Sequence, residues 1–388
     1  MAINSATAYL DNAATTAMVP EAVLAMSQQL SKVGNASSLH AAGRSARKVV
    51  EESREAIAAA VGAAPSEVIF TASGTEANNL ALKGFYWDRI SQGRNVIVTS
   101  PIEHHAVLAP AHWLVEHEGA ELIELPVSSA GVTDLDFLQK LVAERGSEIA
   151  LISVMHSNNE TGVIQPVGEI VKIAGDIPVH CDAVQSFSKV PLSYKALGLF
   201  AMTISAHKVG GPLGIGALIL RRAVEIPPLL HGGGQERDIR SGTLNAPSIV
   251  AFAAAVDAHL YDSKKVAQLR DDFEAGVLKA RPDAVINGKT SPRLPGISNI
   301  TFPGTQSDSL LLLMDSEKVS CSTGAACTAG VHRPSHVLMA MGLSDVVAQS
   351  SLRFSFGSTS TQADVDYTLS VLPRVIERGL AAHAVGRS

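Results

Sequence analysis

Seven short apolar runs, at 67–70, 95–99, 121–126, 149–154, 178–182, 202–205 and 217–220, constrain what this chain can fold into. Each has strand length and is rich in β-formers, and turn residues bound it. Between several of them lie amphipathic stretches, at 76–89, 105–117 and 134–144, long enough to carry the chain from one parallel strand to the next. The alternation predicts an α/β fold with a mostly parallel sheet and helices on both faces. The last two runs are too close for a helical crossover, so the final strand is expected to be antiparallel.

The pattern changes near residue 261. A charged amphipathic helix is expected at 264–280, then a turn-rich connector, RPDAVINGK, and a strand at 296–302. Helices are expected at 308–315 and 334–341, and one long helical pattern at 362–382 closes the chain. Pro373 lies inside it and is expected to kink or split it. A chain of 388 residues is too long for one compact core. The expected division is a large domain over 16–260 and a smaller α+β domain built from 1–15 and 261–388.

Charge excludes some functions. The chain carries 31 basic and 37 acidic residues with no block of like charge, so direct sequence-independent binding to nucleic acid is not expected. No apolar stretch reaches the roughly 18 residues that span a bilayer. The opening MAINSATAYLDNAATT lacks the basic and apolar regions of a signal peptide. Three cysteines, few and odd in number, suit reduced thiols in the cytoplasm.

Candidate chemistry clusters at strand ends. In AMTISAHKVGGPLGIGALIL, at 201–220, Ser205, His207 and Lys208 follow an apolar run. Burial lowers a lysine pKa, and the free amine can form a Schiff base with an aldehyde cofactor; a snorkelling strand-end lysine is the alternative. TASGTEANN, at 71–79, opens a helix whose N–H groups form a phosphate cup, or a helix merely capped by Ser73 or Thr75. Asp182 closes PVHCD at the sheet edge where ligands bind, with Gln185 just beyond, or it starts a turn. A lysine amine together with an acidic partner for a ring nitrogen is the minimal constellation for pyridoxal phosphate. His104, after NVIVTS, can stack on a flat cofactor and shuttle protons, or face solvent.

Three further segments invite weighing. Cys327 lies in SCSTGAACTAGVHRPSH, at 320–336, a small-residue loop that suits a nucleophilic thiolate. It is otherwise an inert apolar residue; a zinc site with Cys321, His332 and His336 fits poorly, because Cys-x5-Cys is not a structural zinc spacing. Cys181 and Cys321 read as buried thiols. HGGGQERDIRSGT, at 231–243, offers Arg240, Ser241 and Thr243 to an anion, or is a surface turn. Arg353, inside the apolar SSLRFS, needs either a substrate carboxylate or an internal acid as partner.

Together these residues resemble the cysteine desulfurases of the NifS/IscS type, within the class V aminotransferase family. The resemblance runs from YLDNAATT at 9–16 to Arg353 through GNASSLH, SNNETGVIQP, HCDAVQS, SAHKVGGPLGIGAL, HGGGQERDIRSGT and STGAACTAG. It implies the aspartate aminotransferase-like fold type I of pyridoxal phosphate-dependent transferases, with a mostly parallel seven-stranded sheet plus the smaller α+β domain. It implies that Lys208 holds pyridoxal 5'-phosphate and that Gly74, Thr75, Ser205 and His207 grip its phosphate. It further implies that His104 stacks on the ring, Asp182 pairs with the ring nitrogen and Gln185 meets the phenolic oxygen. Asn159 and Arg353 would orient the substrate carboxylate, and Thr243 would reach the cofactor of a second subunit in a homodimer. L-cysteine would become L-alanine, with the sulfur passed to Cys327 as a persulfide and on to an acceptor protein.

The chain departs from the family in reading Ala36 where members have proline, and Ser358 after Gly357 where they have arginine. It also ends shortly after its last helical pattern, where members feeding an iron–sulfur scaffold carry a docking tail. That tilts the expectation from iron–sulfur assembly or tRNA thiolation toward a dedicated acceptor, DNA phosphorothioation among them. The alternatives are a selenocysteine lyase, another class V lyase or aminotransferase, or a catalytically silent binding protein.

Overall fold

The structure, a computed structural model, describes residues 7–258, 260–324 and 334–385. All seven apolar runs lie in one sheet, in the order Val68–Thr71, Gly216–Leu220, Ala201–Ser205, Val179–Asp182, Ile149–Ser153, Val96–Thr99, Glu121–Glu124. Gly216–Leu220 runs antiparallel to both its neighbours, as its short connection requires, and the other strands run in parallel. Six strands therefore deliver their C-terminal ends to one edge.

Alternation along the strands builds two faces. Val68, Phe70, Met202 and Ile204 point into a core with Ile57, Ile170, Ile249 and Phe252 from helices Ala41–Val61, Val167–Ala174 and Ala246–Ala258. Ile69, Ile97, Leu218 and Leu220 face the opposite way, onto Leu80, Phe85 and Leu114 of helices Gly74–Ile90 and His105–Glu118. Apart from the partly exposed edge strand Glu121–Glu124, the strands are buried along their length, which is why Ile149–Ser153 and Gly216–Leu220 read as unbroken apolar runs.

A separate core gathers Leu10, Phe273, Ile300, Phe302, Phe354 and Ile376. Around it lie an antiparallel sheet, ordered Ser351–Ser355, Ile297–Thr301, Val285–Asn287, and a parallel pair, Ala8–Tyr9 with Val319–Ser320. One expectation fails here, and one of the two outcomes expected at Pro373 does not occur. The supposed connector holds the strand Val285–Asn287, fixed by Asn287 Nδ2 donating to Asn299 Oδ1 and Thr301 Oγ1 at 2.7 and 2.9 Å. Pro373 does not split the last helix, which runs unbroken over Gln362–Val385. A proline removes one helical hydrogen bond, and burial of Leu372, Val375 and Ile376 beside it favours continued helix. Among the described residues no helix is long and apolar enough to cross a membrane.

Candidate active site

The strand ends enclose a cavity of about 250 Å3. Gly74 and Thr75 line it from the helix that follows Val68–Thr71, His104 from the loop after Val96–Thr99, and Asn159 from the loop after Ile149–Ser153. Asp182, Gln185, Ser205, His207 and Lys208 complete it. Thr243 does not line it and is exposed on the surface. Cys327 and His332 lie outside the described residues.

Ser73 caps the helix, its Oγ accepting from Glu76 N at 3.1 Å. The cap satisfies one first-turn amide and leaves those of Gly74 and Thr75 without a helical acceptor, at the positive end of the helix dipole. The cap thus leaves amides that could hold an anion at the same helix start. A Cβ on Gly216 would sit 2.8 and 2.9 Å from Ser73 C and Gly74 N, so only glycine lets the neighbouring strand support this turn so closely. A Cβ on Gly74 itself would crowd Val184 Cγ2 at 3.0 Å.

Asp182 is held at both oxygens. Val184 N donates to Oδ1 at 2.9 Å and Asn78 Nδ2 donates to Oδ2 at 2.7 Å. Asn78 is a site residue that the sequence reading missed. Its Oδ1 is buried with no hydrogen-bond partner among the described residues, an acceptor beside the carboxylate. The only signal was its place one helical turn after Gly74 on the same helix. His104 accepts from Ala106 N through Nδ1 at 3.0 Å, which leaves Nε2 to carry the proton of a neutral ring. Burial lowers its pKa, and the charges of Lys208, His336 and Arg353 add to that against the pull of Asp182.

Lys208 Nζ donates to the carbonyls of Ala13 and Ala14, at 2.6 and 2.7 Å. Burial, with the Arg353 charge adding, brings its pKa down to about 8. Gln185 Nε2 shares the Ala13 carbonyl at 2.8 Å, and Gln185 Oε1 accepts from Lys189 Nζ at 3.4 Å. Lys189 is lowered to about 7 by burial and by the charges of Lys208 and Arg353, making it a second near-neutral amine that the sequence reading passed over. Arg353 is 5% exposed and has an internal acid: Nη2 donates to Asp11 Oδ1 at 2.7 Å and Nη1 to the Asn159 carbonyl at 2.9 Å. Its Nε has no partner among the described residues. Arg240 likewise is paired, with Glu76 at 2.8 Å. Cys181 and Cys321 are buried, and burial pushes both thiols up.

Residues 8–368 match the family model "Aminotransferase class-V". The IscS-like cysteine desulfurase of Mycobacterium tuberculosis is 50% identical over 384 residues, covering 97% of this chain and 98% of that protein. The chain belongs to the NifS/IscS-type cysteine desulfurases of the class V aminotransferase family. Among solved structures, a NifS-like protein aligns with a TM-score of 0.88 at 35% identity, covering 96% of this chain and all of the other. A protein titled SspA in complex with cysteine aligns with a TM-score of 0.81 at 32% identity, over 92% of this chain and all of the other. Cysteine desulfurases of this family work with pyridoxal 5'-phosphate, and the fold is that of its fold type I. The cavity suits that cofactor: a glycine-formed anion cup at one wall, a doubly braced carboxylate at another, and a lysine amine near neutrality between them.

Proposed function

We propose that the chain converts L-cysteine to L-alanine and places the sulfur on Cys327 as a persulfide, for delivery to an acceptor protein. The observation that carries this is the convergence of Lys208, Asp182, His104 and the Gly74–Thr75 amides on one cavity in a chain of this family. Pyridoxal phosphate, when bound, supplies an aldehyde for amine exchange and a ring that draws electrons from the substrate's Cα. Lys208 is its anchor; Gly74, Thr75, Ser205 and His207 hold its phosphate, Gln185 its phenolic oxygen and Asp182 its ring nitrogen.

The chain's own groups then divide the work. Asp182, held at both oxygens by Asn78 and Val184, would meet the ring nitrogen. Lys208, with a pKa near 8, is free amine often enough at neutral pH to take the Cα proton. His104 covers the opposite wall and carries a proton at Nε2. Asn159 and the Nε of Arg353, unpaired among the described residues, orient the substrate carboxylate. The Cys327 thiolate forms a bond to the substrate sulfur as the C–S bond breaks. The electron pair stays with the carbon that becomes the alanine methyl, so no external oxidant is needed.

The supporting features for the assembly are indirect. Thr243 is exposed, as suits a contact to the cofactor of a second subunit in a homodimer. The separate core supports a division into 16–260 and 1–15 with 261–388. Unpaired thiols at Cys181 and Cys321 suit the cytoplasm. The experiment is the holoenzyme with L-cysteine and a thiol reductant. Wild type releases alanine and sulfide in equal amounts, while Cys327→Ser keeps its cofactor absorbance and releases no sulfide. Wild-type sulfide release by Cys327→Ser overturns the assignment. Labelled cysteine, followed to the protein that acquires its sulfur, identifies the acceptor.

A further inference from the structure

Glu160 belongs to no step described so far, yet it is 1% exposed. It follows Asn159 in SNNETG, on a turn closed by Asn158 Oδ1, which accepts from the amides of Glu160 and Thr161 at 2.9 Å each. Two distant pieces of chain meet at its carboxylate. Ser335 Oγ donates to Glu160 Oε2 at 2.5 Å. On the other side Gly324 packs so closely, at φ +83°, that a Cβ there would lie 3.1 Å from the same oxygen. Burial pushes the carboxyl up, against the Ser335 bond and the charges of His336 and Arg353.

Gly324 and Ser335 flank the segment that carries Cys327. Ser335 is bonded to Glu160 and Gly324 is packed against it, and both flanks reach the cavity loops through further bonds. Before it, Arg353 and Ser322 exchange backbone hydrogen bonds at 2.7 and 3.1 Å, and Arg353 in turn reaches the Asn159 carbonyl. After it, Ser335 caps the helix His336–Ala340, and His336 Nε2 bonds the Glu103 carbonyl, next to His104, at 2.9 Å. Glu160 is the side chain that bonds Ser335 and also lies against Gly324.

We infer that Glu160 is a positioning residue for sulfur transfer, its carboxylate bonding Ser335 and packing against Gly324, the described residues on either side of Cys327 in sequence. The inference rests on the proposed role of Cys327. It separates the two halves of turnover: the cavity that receives cysteine stays as it is without Glu160, and the approach of the thiolate does not. Removing the carboxylate should therefore act on kcat and spare substrate binding.

The test is Glu160→Ala beside Glu160→Gln and Ser335→Ala, each as holoenzyme. Glu160→Ala is expected to lose about 10–100-fold in kcat for sulfide release, with KM for L-cysteine within about 2-fold and an unchanged absorbance response to cysteine. Glu160→Gln, which still accepts from Ser335, recovers most of the rate, and Ser335→Ala falls between. Maleimide labelling of Cys327, read by peptide mass, is independent of turnover and quickens several-fold in Glu160→Ala. Equal kcat and equal labelling in Glu160→Ala and wild type overturn the inference, as does a loss that appears in the absorbance response. Absence of sulfide release in wild type would instead overturn the functional reading. If Glu160→Ala fails to fold, the same comparison between Ser335→Ala and wild type decides.

Discussion

Two places in this molecule bury charge beside the same sheet, and they are built on opposite rules. At one, Arg54 meets Glu236 through two 2.7 Å bonds, with 10% and 1% of the side chains exposed. Arg54 also donates to the Val68 carbonyl and lies over the Phe70 ring, while Glu236 accepts from Phe70 N. Burial works against the charged guanidinium there, but the bonds to Glu236 and Glu51 overcome it and its pKa is raised. At the other, Lys208 has only two backbone carbonyls, and burial wins: its pKa falls to about 8. Opposite charge held at hydrogen-bond distance makes a buried cation permanent. Where the acids, Asp11 and Asp182, act only from farther off, burial keeps it within reach of neutrality.

The sharpest way to break that comparison is to remove each cation. Lys208→Ala is expected to lose sulfide release by about 10³-fold or more with little change in melting temperature. Arg54→Ala is expected to do the reverse. Stranding Glu236 costs about 3–5 kcal/mol of stability, read by denaturant unfolding, while the remaining folded protein turns over normally. If Arg54→Ala is as stable as wild type, the fully paired half of the comparison fails.

Buried neutral bases give a middle-sized effect. Burial holds His156 near 4 and His180 near 3. The unfolded chain binds protons on both below about pH 6.5, the native protein does not, so stability falls as pH drops through 6.5 toward 4. Each contributes up to about 1.4 kcal/mol per pH unit in that window. His180→Asn should flatten the acid limb of the stability profile by about half of their joint slope, measured by urea midpoints from pH 7 to 4.5. The smallest effect belongs to Asn78. Asn78→Ala removes one of two donors to Asp182 and is expected to weaken cofactor retention by about 10-fold, about 1.4 kcal/mol, in titrations of apoprotein.

The same contrast explains what the sequence could say. Apart from the edge strand Glu121–Glu124, the strands were legible because they are buried along their length, so Ile149–Ser153 or Gly216–Leu220 carries no polar interruption. The helix Ala246–Ala258 escaped notice because it is apolar all round, APSIVAFAAAVDA, and shows no period. Val285–Asn287 was read as a turn because its partners, Asn299 and Thr301, are polar and lie beyond a loop. Strand-end residues such as Asp182, Ser205 and Lys208 announced themselves by position. Asn78 and Lys189 did not, since a helical Asn and a post-turn Lys look like surface residues until the fold brings Asp182 and Gln185 beside them. Arg353 was left between a substrate and an acid; Asp11, its acid, is 342 residues away in sequence.

The central claim is that Lys208, one of two amines kept near neutrality, is the one that holds the cofactor. Lys189, near 7 and close by, is the built-in rival. Borohydride reduction of the holoenzyme, followed by peptide mass mapping, decides between them. The account predicts the reduced cofactor on the peptide bearing Lys208, with Lys189 unmodified. Cofactor on Lys189, or on no lysine at all, would contradict it.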